Sequence, residues 1–124
     1  TQQRQMFGKH LADFQLTQAR LGDMACLLDA GALLTYRAAW MRDTQGSDGA
    51  AAAAYTTAAA MAKLTATENA SKVIDMALQM HGGMGVMVGN KLESLYRDIR
   101  SLRIYEGASE VQQLIIGREL LKAN

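Results

Sequence analysis

Apolar positions recur at steps of three and four through residues 14–41, with Leu21, Met24, Leu28, Ala32 and Tyr36 on one stripe. That period marks an amphipathic helix, so one long helix is predicted from Phe14 to Met41. The stretch RDTQGSDGA (42–50) carries two glycines and ends it, and Asp48 is placed to cap the next helix. A second long helix is predicted over 50–81, with Ala70, Val73, Ile74, Ala77 and Met80 sharing a face. Its alanine-rich start reads as a close-packing surface, because the period resumes downstream. GGMGVMVGN (82–90) breaks it. Asn90 and Glu93 then have capping-box spacing ahead of a shorter helix marked by Val88, Leu92, Leu95, Ile99 and Leu102. A last helix is predicted to start near Ser109, with Gln112 at the reciprocal capping position and Val111, Leu114 and Ile115 facing inward. No strand and no internal repeat is predicted, and the opening TQQRQMFG reads as the frayed end of another helix.

Composition supports helix throughout: proline is absent, and alanine, leucine and methionine are plentiful. Four amphipathic helices, two long and two short, predict an all-α antiparallel four-helix bundle. At 124 residues the chain is long enough for one domain with a real core, spanning 1–124. Thirteen basic against twelve acidic residues give a net charge of +1, which offers no bulk attraction to nucleic acid or to an anionic membrane. No apolar run reaches the length of a membrane span, and TQQRQMFGKH lacks the apolar core of a secretory signal. The single cysteine, Cys26, excludes an internal disulfide and reads as small core filler. A chain that begins at Thr1 is expected to be a processed or excised part of something longer.

The glycine cluster QMHGGMGVMVG fails as a dinucleotide fingerprint, since its spacing is wrong and it comes after a helix rather than a strand. It reads either as a helix C-terminus with a tight turn or as a place of close backbone approach to a ligand, with Gln79 adding an amide. His10 and His81 have no partners at metal-ligand spacing, so no metal site is expected. Arg97, Arg100 and Arg103 step along one helix face and are expected to be solvated or paired with Glu93 and Asp98. Glu106 is the hard case, set between Tyr105 and Gly107 in RIYEGASEV. Two readings stand. It is a solvated acid at a helix entrance, favoured by the helix dipole, or a general base held on a rigid turn and activated when substrate excludes water. Local chemistry does not choose between them.

Taken together, RQMFGKHLADFQ (4–15), LLTYRAAWMRD (33–43), AMAKLTATENA (60–70), QMHGGMG (79–85) and YRDIRSLRIYEGASEVQQLIIGREL (96–120) resemble the C-terminal domain of the acyl-CoA dehydrogenases in wording, order and spacing. The resemblance implies that Glu106 removes the α-proton of an acyl-CoA thioester while the β-hydrogen leaves as hydride to FAD. Tyr105, Glu106 and Gly107 would meet substrate, with the Glu106 N–H holding the thioester carbonyl. It also implies FAD contacts at Arg4, Phe7, Gln15, Gln79 and Gly83, made to the flavin of a neighbouring subunit. The family commonly has threonine where Ala108 stands, its hydroxyl toward the flavin. Alanine lacks that group, and Glu110 beside it is a further cofactor-side candidate.

The parent enzyme is expected to be a homodimer or homotetramer that passes electrons to an electron-transfer flavoprotein. Its expected location is the cytoplasm, or the mitochondrial matrix in a eukaryote. Full members also carry an N-terminal helical domain and a middle β-domain, which this sequence lacks, so the isolated domain is expected to be inactive. Two rivals stand beside this reading: a short subunit completed by a separate partner chain, and a non-catalytic helical dimerisation module. The joint presence of Glu106, Arg4 and Gln79 argues against the module, since an assembly role requires none of them.

Overall fold

The computed structural model describes residues 1–46 and 48–122; Ser47, inside the predicted break, and Ala123 and Asn124 lie outside the described residues. Four helices dominate: α1 (Gln15–Gln45), α2 (Gly49–His81), α3 (Lys91–Leu102) and α4 (Ser109–Lys122). The fold class is all-α, and α2 is its spine, touching each of the other three helices. Ala38 meets Ala58 and Ala62, Gly31 meets Ala66 and Leu27 meets Asn69, so α1 and α2 run antiparallel. Asp48 holds the N-cap position of α2 in extended backbone, but its side chain makes no cap hydrogen bond. No helix among the described residues is long and apolar enough to cross a membrane.

The opening segment is not helical. Gln5–Met6 (β1) and Lys9–His10 (β2) pair as a minimal antiparallel hairpin, Gln5 opposite His10 and Met6 opposite Lys9. Its turn takes Phe7 and Gly8 through positive φ, 52° and 79°, the backbone of a tight two-residue hairpin loop. A 3-10 turn, Leu11–Asp13, then leads into α1. Glycine as the second turn residue is the sequence signal for this hairpin, but the flanking residues are too few and too polar to alternate visibly.

The α1 face that meets α2 differs from the predicted stripe. Thr17, Met24, Gly31 and Ala38, seven residues apart, are buried with Met41. Ala38 and Met41 meet Ala58 and Ala62 of α2, with Leu34 packed beside them. A seven-residue repeat of mostly small side chains is a coiled-coil-like seam, and it lets two backbones approach closely. Of the expected stripe only Met24 is buried; Leu21, Leu28, Ala32 and Tyr36 are exposed. Cys26 is exposed as well, not core filler. Two positions on from Met24, it is rotated to nearly the opposite side of the helix.

The α2 face is as expected, with Ala70, Val73, Ile74 and Ala77 half-buried and Met80 buried. Gly82–Val86 then forms a 3-10 turn. Asn90 caps α3 by accepting from the Leu92 N–H at 2.9 Å, while its amide donates to the Met84 carbonyl at 2.8 Å. Glu93 does not complete a capping box; it accepts from Arg97 at 2.6 and 3.2 Å. Leu92, Leu95, Ile99 and Leu102 are half-buried, whereas Val88 precedes the helix and is 91% exposed. On α4 the inward residues are Ser109, Gln112 and Ile115, and the expected Val111 and Leu114 are exposed.

Candidate active site

The turn between α3 and α4 places Glu106. Ile104 and Tyr105 still donate to the Ser101 carbonyl, at 2.9 and 3.1 Å, and Ser109 N–H closes the loop on the Arg103 carbonyl at 3.1 Å. Within this closed loop Glu106 adopts φ 54° and Gly107 φ 88°. Left-handed backbone costs a residue with a Cβ about 1–2 kcal/mol, so the surroundings must hold Glu106 there. Glycine at 107 is required twice over, because its φ is positive and a Cβ there would run into the Gln112 amide nitrogen.

Side chains from α2 and α4 supply the hold. Lys63 Nζ donates to the Gly107 carbonyl at 2.6 Å, and Gln112 Nε2 donates to the Gly107 and Glu106 carbonyls at 3.1 and 3.4 Å. One oxygen of Glu68 accepts from Ser109 Oγ at 2.6 Å and from Arg103 Nε at 2.8 Å, clamping both ends of the turn. The Ser109 hydroxyl, and after it the Arg103 guanidinium, keeps the Glu68 carboxyl below its ordinary range against the opposing effect of partial burial. Glu106 itself is exposed, and neither its carboxylate nor its N–H has a hydrogen-bond partner among the described residues. Tyr105 beside it is half exposed, Ala108 is half-buried, and Glu110 is exposed in the first turn of α4.

The other predicted site residues lie at the far end of α2. Arg4 Nη1 donates to the Met80 carbonyl at 2.6 Å, and its own carbonyl accepts from Leu11 N–H at 2.7 Å, which ties the hairpin to the helix terminus. A Cβ at Gly82 would come within 2.7 Å of Arg4 Nη2, so that glycine makes room for the guanidinium. Arg4 and Gly83 border one cleft of about 700 Å³, together with Gln3, His81 and Asn90. Gln79 is exposed one residue before Met80, Phe7 stands 91% exposed at the hairpin tip, and Gln15 is exposed at the start of α1. Glu68 and Met80 are twelve positions apart, a rise of about 18 Å along the helix. The predicted residues thus form two stations rather than one pocket.

Of the arginine run, only Arg97 pairs as expected, with Glu93. Arg103 turns to Glu68, and Asp98 accepts from Ser94 Oγ at 3.3 Å. Lys63 and Glu68 do not stand out in the sequence as site residues. They do carry a signal: two charges inside a helix segment whose neighbours Ala58, Ala60 and Ala62 are buried.

This helical domain has known relatives. The family model for the acyl-CoA dehydrogenase C-terminal domain matches residues 1–121. The 3-(aryl)acrylate reductase of Clostridium sporogenes is 44% identical over 121 residues, 97% of this chain and 30% of that protein. Subunit CarC of the caffeyl-CoA reductase–Etf complex of Acetobacterium woodii is 42% identical over 120 residues, again 97% and 30%. The structure of butyryl-CoA dehydrogenase from Megasphaera elsdenii superposes with a TM-score of 0.88 at 34% identity, over 97% of this chain and 30% of that one. The chain belongs to the acyl-CoA dehydrogenase family, as its C-terminal domain. It spans about 30% of the length of these curated relatives.

Proposed function

We propose that this chain is the C-terminal domain of an FAD-dependent acyl-CoA dehydrogenase in which Glu106 is the base that removes the α-proton of an acyl-CoA thioester. The observation that carries the reading is the pairing of restraint and freedom at one residue. The backbone of Glu106 is held in a left-handed turn by Lys63, Gln112 and Glu68, while its carboxylate and N–H are left without partners among the described residues. A solvated cap has no use for such a brace. A base aimed at one C–H bond does, because positioning alone lowers barriers by several kcal/mol. The free N–H of Glu106 would donate to the thioester carbonyl, which would favour the negative charge that develops as the proton leaves.

The residues present fit the pyrophosphate of FAD. Arg4 brings guanidinium donors to a cleft edged by bare backbone at Gly83, where a Cβ would meet nothing within 4 Å. When bound, FAD supplies the acceptor for the β-hydrogen. Arg4, Gly83, Gln79, Phe7 and Gln15 would hold the FAD of a neighbouring subunit, and Ala108 and Glu110 would lie toward the FAD of the active site that Glu106 serves. The separation of about 18 Å along α2 suits contacts to the flavins of two different active sites, and so a dimeric or tetrameric parent enzyme. Acyl-CoA is the proposed substrate, with electron-transfer flavoprotein as electron partner; one relative is a subunit of a complex that includes Etf.

A second reading concerns direction. Both of the relatives from Clostridium sporogenes and Acetobacterium woodii carry reductase in their names. Run in reverse, the same carboxyl returns a proton to Cα, so Glu106 keeps its role and only its starting protonation state changes. Glu106→Gln in the intact flavoenzyme tests the base in the dehydrogenation direction. Flavin bleaching by saturating acyl-CoA, monitored by rapid mixing, should slow by about 10²–10⁴-fold. A variant that bleaches at the parent rate would return Glu106 to the solvated-cap reading.

A further inference from the structure

Lys63 and Glu68 sit five residues apart on α2, just after the buried Ala58, Ala60 and Ala62. Both charges are directed at the α3–α4 turn. Lys63 takes the Gly107 carbonyl, and Glu68 takes the Arg103 guanidinium and the Ser109 hydroxyl, 35 and 41 positions on in the chain. Ser109, the first residue of α4, spends its hydroxyl on Glu68 at 2.6 Å.

We propose that Lys63 and Glu68 are positioning residues for Glu106, fixing the left-handed backbone from which its carboxylate projects. The proposal rests on the reading of Glu106 as the base. The mechanism runs through peptide planes. With Lys63 and Gln112 on the Gly107 carbonyl, and Gln112 also on that of Glu106, the two peptides after Glu106 cannot rotate freely. Glu68 fixes where the turn starts and ends. Without these ties Glu106 relaxes toward the ordinary right-handed or extended region, since its φ of 54° is unfavourable for a residue with a Cβ. Such a relaxation swings the Cα–Cβ bond and moves the carboxylate by ångströms, and a misplacement of about 1 Å in a reacting group already costs on the order of a hundredfold in rate.

The test uses the intact FAD-loaded enzyme with Lys63→Met, Glu68→Gln and, as the conservative counterpart, Lys63→Arg, beside Glu106→Gln. The limiting rate of flavin reduction should fall by roughly tenfold to a hundredfold in Lys63→Met and Glu68→Gln. The dissociation constant for acyl-CoA should change little, and Lys63→Arg should recover most of the rate. Amide hydrogen exchange over residues 103–109 should quicken in the two slow variants while exchange across α1 and α2 stays at the parent level. Should Glu68→Gln lose its FAD, Ser109→Ala carries the same test, because it removes one donor from the clamp and leaves both charges in place. Parent-level exchange in the turn, or a loosened turn with an unchanged reduction rate, overturns the proposal while a slow Glu106→Gln leaves the base reading standing. A Glu106→Gln variant at the parent rate overturns the base reading, and the positioning proposal with it.

Discussion

Gly31 and Ala66 meet backbone to backbone: a Cβ built at Gly31 would lie 3.3 Å from the Ala66 Cα. The contact sits mid-seam between α1 and α2, and it sets how closely the two long helices approach. Gly31→Leu should destabilise the chain by about 1–3 kcal/mol, the usual range for overpacking a tight core. Chemical denaturation checks this, and an unchanged midpoint would mean the helices separate there at no cost.

Gly107→Ala tests the turn directly. The new methyl meets both an unfavourable φ of 88° and the Gln112 amide. Relief requires Gln112 to leave the Gly107 and Glu106 carbonyls, so flavin reduction in the intact enzyme should slow by roughly tenfold or more. Circular dichroism should show the helices retained. Rapid mixing supplies the rate, and a parent rate would show that the turn tolerates the shift.

Arg4→Ala should weaken flavin retention more than proton abstraction. A charge-assisted contact to a pyrophosphate is worth roughly 1.5–3 kcal/mol. The same substitution frees the Met80 carbonyl and loosens the hairpin. Flavin occupancy after dialysis is the measurement, and unchanged occupancy would remove Arg4 from the cofactor site.

The Glu68 clamp should also be sensitive to acid. Its folded-state carboxyl titrates below the ordinary range, chiefly because Ser109 donates to the ionised form. The clamp's contribution is therefore complete above the unfolded-state value and is lost as pH falls through the lower folded-state value. The stability difference between the parent and Glu68→Gln should be full at neutral pH and shrink only in acid. Unfolding curves measured across that window decide it, and a difference that shrinks on the alkaline side would contradict this sign.

Helices and breaks are legible in the sequence because period, glycine and proline absence act locally. Asn90 caps its helix as expected, and the resemblance to the acyl-CoA dehydrogenase C-terminal domain is borne out by the family model over residues 1–121. The α1 stripe misleads for a physical reason. Large apolar residues such as Leu28 and Tyr36 draw attention in a sequence, but this seam is built from Thr17, Gly31 and Ala38. The brace residues escape a sequence reading because their partners lie 35 to 44 positions away, beyond any local pattern.

Two long helices joined by a seam of mostly small residues fit closely in one register, because a slip of one heptad, about 10.5 Å, would carry Gly31 away from Ala66 and bring Met24 or Ala38, each with a Cβ, to that close approach. Asn69 adds to the register by donating its amide to the Leu27 carbonyl at 2.9 Å across the interface. The glycine acts as the index mark on a sliding scale. Because Lys63 and Glu68 ride on the same helix as Asn69, the alignment of α1 with α2 also decides whether the turn that bears Glu106 finds its supports.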